Sequence, residues 1–187
     1  LVGYLNAALV KGRLDQALVM INGSLQDFPY PNGNGTFIVD GELSNATFKF
    51  DPEWPAIEHF HANLNFTNNS MLITGRDGTL SGIDVTGVTA AIDDLSNEQV
   101  LEVKAQFQQT KPELVSNLML TSPLDDSVGE LLELMVVGED IAGDFSLSLP
   151  LNNSEAVVAK GNILFDQNTV NLQSPEMIFS KVDGLLS

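Results

Sequence analysis

His59 and His61 stand two residues apart in an alternating run, so both point to one face of a strand, a spacing that could hold a metal ion. Such a site needs further ligands. Glu58 lies on the opposite face, and the chain has 2 histidines and no cysteine, so a pair of solvent-facing histidines is the better reading. Asp93 with Asp94, and Asp125 with Asp126, could attract a hard cation, but neither pair has the alternating Asp/Asn ligands and glycine of a calcium loop. Solvated acid at a strand or helix end accounts for both. The 25 Asp and Glu residues could supply a carboxylate pair for glycoside hydrolysis, yet no local signature nominates one. A serine elbow, a phosphate loop and a dinucleotide fingerprint are all missing. The sequence thus nominates no catalytic residue, no metal and no cofactor.

Asn22, Asn34, Asn45, Asn65, Asn68 and Asn152 each open an Asn-x-Ser/Thr triplet, the acceptor pattern for glycosylation in a eukaryotic secreted protein. The lack of cysteine argues against that setting, and asparagine beside serine or threonine is ordinary hairpin-turn chemistry. Charge narrows the partners further. Against 25 acidic residues stand 8 Lys and Arg, for a net charge of −17. This excludes nucleic acid, whose phosphates need clustered cations, and electrostatic attachment to an anionic bilayer. Disorder is excluded too, because 43% of the 187 residues are hydrophobic and the mean hydropathy is +0.08.

The elements that position these residues are mainly strands. Leu101, Val103, Ala105 and Phe107 alternate with Glu102, Lys104 and Gln106, and Phe145, Leu147, Leu149 and Leu151 alternate with Asp144, Ser146, Ser148 and Pro150. That is period two, with one apolar and one polar face. Ala46, Phe48 and Phe50, and then Ala62, Leu64 and Phe66, follow the same rule. A framework recurs in which Leu64 and Phe66, four polar residues (67–70), and Met71 and Ile73 suggest a hairpin. Residues 163–172 and 149–158 repeat its offsets. At Gly87 the apolar parity flips between Ile83, Val85 and Val88, Ala90, Ile92, which predicts a bulge or bend. Residues 27–35, with their prolines and glycines, read as a loop.

Ser122 and Pro123, followed by acidic residues and by Leu124, Val128, Leu131, Leu132 and Met135 at helical spacing, predict a helix over residues 123–136. Shorter helical turns are expected at 111–118 and 2–10. No run of about 18 apolar residues is present to span a bilayer as a helix. The chain begins at Leu1 without a signal-peptide pattern and is expected to be a single β-rich segment, residues 1–187, of something longer, its targeting information lying elsewhere. Whether the apolar faces close on one another as a core, or line an open trough, is left undecided by composition.

A family resemblance bears on that choice. The stretch Asp27-Phe28-Pro29-Tyr30, the strand from Ala46 to Phe50, Trp54-Pro55-Ala56-Ile57 leading into Ala62 to Phe66, Ala91 to Leu95, Ser122-Pro123-Leu124, and Leu147 to Leu151 followed by Val158 to Ile163 occur in an order that resembles the YhdP branch of the AsmA-like superfamily. The resemblance implies an internal periplasmic segment of a bridge-like lipid transfer protein of Gram-negative bacteria, anchored in the inner membrane by a part not included here. It implies a mostly β fold, an antiparallel sheet curled into an open apolar trough that conducts phospholipid between inner and outer membranes, with no enzymatic activity. Membrane contact would come only through other parts of the protein. The expected partners are phospholipid acyl chains and neighbouring segments of the same chain.

On that reading the residues sharing the apolar phase form the lining: Phe37, Val39, Phe48, Phe50, Leu64, Phe66, Met71, Ile73, Leu101, Val103, Phe107, Phe145, Leu147, Leu149, Ile163 and Phe165. Two competing readings stand beside it. One is a closed periplasmic β domain with a structural or protein-binding role. The other is a carbohydrate-active module, which would need an aromatic platform that Trp54, Tyr4 and Tyr30 scarcely supply.

Overall fold

A computed structural model describes residues 7–96, 99–125, 134–152 and 157–187. The alternating runs become strands β1 (Leu9–Asn22), β2 (Thr36–Phe48), β3 (Ile57–Thr67), β4 (Ser70–Leu80), β5 (Ile83–Asp84), β6 (Thr89–Ile92), β7 (Val100–Thr110), β8 (Met135–Val137), β9 (Ile141–Pro150), β10 (Val158–Gln173) and β11 (Glu176–Leu186). They pair antiparallel in one 11-stranded sheet of order β1-β2-β3-β4-β6-β7-β9-β10-β11, with β5 on β4 and β8 on β10. Neighbours in sequence are mostly neighbours in space, as the short polar connections require. Among the described residues the sheet does not close: β1 pairs with β2 alone and β11 with β10 alone, so both outer edges are free there.

Bulges give the sheet its curl. In β2, Phe37, Val39 and Leu43 share one phase and Ala46 and Phe48 the other, yet Leu43, Ala46 and Phe48 are all buried. The flip is absorbed at Asn45, whose φ is 46°, where the β2–β3 register shifts between Leu43 and Ala46. Beside it in β3, His59 (φ 53°) marks a second bulge that keeps both Ile57 and Phe60 inward. The register of β1 on β2 shifts at the same level, around Lys11 opposite Thr47. A row of irregularities across adjacent strands adds bend and twist, which brings the two halves of the sheet to face each other. Gly87 does what the parity change predicts. The Val88 N–H closes a turn on the Val85 carbonyl (3.0 Å) with Gly87 at φ 83°, and Ile83, Val85, Val88 and Ile92 are buried together. In the same turn the Thr86 hydroxyl and backbone N–H donate to Asp84, holding its carboxyl below the usual carboxylate range.

Of the three hairpin-like frameworks, residues 64–73 form the hairpin expected, tightened so that Thr67 faces Ser70 across Asn68 and Asn69. Strands β9 and β10 are also adjacent and antiparallel, though residues 153–156 of their connection lie outside the described residues. The framework at 163–172 is different, and here the hairpin expectation is corrected: β10 runs unbroken for 16 residues. Its polar stretch is a bulge, with Gln167 at φ 57° and Asn168 turned inward. Asn168 is fully buried. Its Nδ2 donates to the carbonyls of Gly138 (2.9 Å) and Asp140 (3.2 Å), and its Oδ1 accepts from the Asp166 N–H (2.7 Å). Asn168→Ala would strand these backbone groups and is expected to cost about 1–3 kcal/mol in a denaturant titration.

The helical expectations also shift. The turn anticipated at 111–118 is helix α1 (Pro112–Leu120), with Pro112 in its first turn, Glu113 beside it, and Val115, Leu118 and Met119 buried. The helix expected over 123–136 falls largely on residues 126–133, outside the described residues. Ser122 Oγ accepts the Leu124 N–H (3.2 Å), the cap bond expected of it, but Met135 and Val136 belong to β8, where pairing with Leu172 and Asn171 of β10 overrides helical spacing. Residues 1–6 of the anticipated N-terminal turn are likewise outside the described residues, and Leu9 and Val10 open β1.

Candidate functional site

The inward faces of successive strands align side chain to side chain. One row runs Leu64, Ile73, Ala90, Val103, Leu147, Ala159 across β3, β4, β6, β7, β9 and β10. Parallel rows carry Ala105, Phe145 and Gly161, and Phe107, Gly143, Ile163 and Leu186. Cross-strand apolar neighbours of this kind are the unit from which a sheet face is stabilised. Here they make a continuous hydrophobic wall. Helix α1 covers part of it, and the β2–β3 connection crosses it: Trp54, 4% exposed, has its ring 5.7 Å from Phe50 and 5.6 Å from Phe145 of β9.

Between wall, helix and connection lies a cavity of about 660 Å³, within the range of small-molecule sites. Of the predicted lining residues, Phe48, Phe50, Ile73, Val103, Phe107, Phe145 and Ile163 border it. Ile163 and Phe165 border a second cavity of about 250 Å³ on the other side of α1. Met71, Leu101, Leu147 and Leu149 are buried in the contiguous core instead, with Leu64 and Phe66 half-buried against it. Phe37 and Val39 are half-buried near the β1–β2 connection, where Phe28 meets Phe37 edge-on at 4.9 Å.

Sequence reasoning missed Trp54, Ile57, Phe60, Leu80 and the α1 face as cavity residues. The i, i+3, i+4 spacing of Val115, Leu118 and Met119 was the available signal for the last of these. Nothing in the alternation pattern marks Ile57 and Phe60 as companions, because the His59 bulge falls between them.

Glycines shape the floor. A Cβ at Gly143 would overlap the Asn162 carbonyl oxygen and the Phe107 ring, which lies directly over the glycine. Gly143→Ala is expected to lower stability by about 1–3 kcal/mol or more, as overpacking does. Gly138→Ala, whose nearest neighbour is Thr169 at 3.6 Å, should change the urea midpoint little by comparison.

The opposite face of the sheet is largely polar, with Leu72, Val158 and Leu164 as exposed apolar exceptions. Asp40 with Asn65, Glu102 with Ser148, and Asp144 with Asn162 pair across strands on exposed positions, and Arg76 lies 3.6 Å from Glu42. His59 is on this exterior, its Nδ1 3.3 Å from Asn45 Oδ1. Among the described residues no three His, Asp or Glu groups come together as metal ligands, and no helix is long and apolar enough to cross a membrane.

An open antiparallel sheet with two free edges, an acidic exterior and a continuous, partly roofed apolar interior defines a β-groove protein, a scaffold that offers hydrophobic surface along its length. Comparison with known proteins places the chain more narrowly. Its sequence matches the YhdP protein family over residues 1–187, and the chain belongs to that family. It is 30% identical over 190 residues to the intermembrane phospholipid transporter YhdP of Escherichia coli (strain K12), a match covering 100% of this chain and 14% of that protein. The chain therefore spans a small part of the length of this relative. No solved structure matches it.

Proposed function

We propose that this chain is one segment of a periplasmic, bridge-like lipid transfer protein anchored in the inner membrane, and that phospholipid acyl chains move along its apolar face between inner and outer membranes. The observation that carries the reading is the unbroken apolar row across six paired strands, opening into the 660 Å³ cavity. The name of the Escherichia coli relative supports phospholipid as the cargo.

The energetics agree. An acyl chain of about 16 carbons exposed to water costs roughly 12 kcal/mol at about 0.8 kcal/mol per methylene, and an apolar wall offsets most of that cost. Because such an interaction is non-directional, the lipid can slide without breaking specific bonds. No catalytic group is needed. The free edges support continuation into neighbouring segments of the same chain. Strand β1 is exposed throughout, with Val10, Leu18 and Val19 at 58–64%, and β11 exposes Ile178 and Leu185. Bare apolar edges of this length are a liability unless further strands cover them. A self-contained barrel would have no such edges. Native mass spectrometry of the purified protein should detect copurified phospholipid, and its consistent absence would overturn the proposal.

A further inference from the structure

We infer that helix α1 is the second half of the lipid site, so that acyl chains pass between the helix and the sheet, and that Val115, Ile163 and Leu186 form the seam at which passage is narrowest. The inference rests on the lipid-conduit reading and adds a roof and a constriction to it. Three observations carry it. First, the cavities on the two sides of α1 share Val115, Ile163 and Leu186 as walls. Ile163 and Leu186 are paired neighbours on β10 and β11, so the seam has a two-residue floor and a one-residue roof.

Second, α1 turns its Val115, Leu118 and Met119 side toward the cavity, where Val103 and Phe145 of the sheet also line it. A chain lying there touches apolar groups above and below. Third, the helix is held over the sheet by apolar contact. The hydrogen bonds of Thr121 and Ser122 at its C-terminal end return to its own carbonyls of Asn117, Leu118 and Met119, and among the described residues Glu113, Ser116 and Asn117 make no side-chain bond to the sheet. Apolar contact has no fixed register, so the roof can ride over an occupant where a hydrogen-bonded roof would resist it.

The test uses the full-length protein in cells, with a photo-crosslinking residue at Met119 on the roof or Val103 on the floor, with Val115→Trp as the seam variant and Lys104→Trp on the outer face as its control. Phospholipid adducts are expected at both positions. Val115→Trp is expected to cut transfer at least tenfold while floor adducts persist, and Lys104→Trp, on the exposed face of β7, to leave transfer intact. Adducts at Val103 without adducts at Met119 would overturn the roof and leave the conduit standing, whereas adducts at neither would sink both. Equal transfer in the Val115→Trp and Lys104→Trp variants would overturn the seam. If Val115→Trp also abolishes floor adducts, the fold is disturbed, and Leu186→Trp, half-buried at the end of β11, takes its place, with unchanged transfer overturning the seam.

Discussion

Trp54→Ala is expected to lower the stability of the domain by about 3–5 kcal/mol, the usual range for truncating a buried large aromatic. For a chain of this size that corresponds to a fall in Tm of roughly 6–20 °C. The size of the effect follows from where the ring sits. It belongs to the connection after β2, yet it packs between Phe50 beside it and Phe145 on β9, and so joins two walls of the trough far apart in strand order. Removing it leaves a void bordering the existing cavity, and the void cannot collapse without moving one wall. Thermal unfolding followed by circular dichroism checks this. A loss below about 1 kcal/mol would mean that the walls are held together by something other than this contact.

Ala105→Glu carries the larger functional consequence. Ala105 faces Phe145 across β7 and β9 and lines the cavity, so on the proposed lipid-groove function a carboxylate there would share its space with an acyl chain. Burying an unpaired charge costs several kcal/mol, and each ~1.4 kcal/mol is tenfold in occupancy. Bound phospholipid is therefore expected to fall at least tenfold while the far-ultraviolet spectrum stays that of a β protein. The same acid placed at Lys104, on the exposed face one residue earlier, should leave occupancy near its starting value. Equal losses from the two substitutions would separate lipid binding from the apolar face.

Much of this arrangement was legible in the sequence, and the exceptions have physical causes. Strands β7 and β9 could be read directly because their alternation is unbroken, and Phe107, Phe145 and Val103 fall on the cavity as the phase predicts. The parity change at Gly87 was legible because only a bend keeps Ile83 and Ile92 on one side. The bulges at Asn45, His59 and Gln167 were hidden, since a polar residue at a bulge looks like a loop when period two is the only guide. That is why 166–169 reads as a turn although Asn168 bonds it into a continuous strand. The role of α1 was obscured by its length, a mere nine residues, and by the stronger helical spacing that follows it. Division of the predicted lining between cavity and closed core depends on how far the sheet curls. Met71 and Ile73 share a phase, but only the second reaches the cavity.

The most direct test of the lipid groove is residue-by-residue photo-crosslinking along β7 in the full-length protein. The groove account predicts phospholipid adducts at Val103, Ala105 and Phe107 and none at Glu102 and Lys104, a period of two that matches the buried and exposed faces of the strand. Adducts on both faces alike, or on neither, would contradict it.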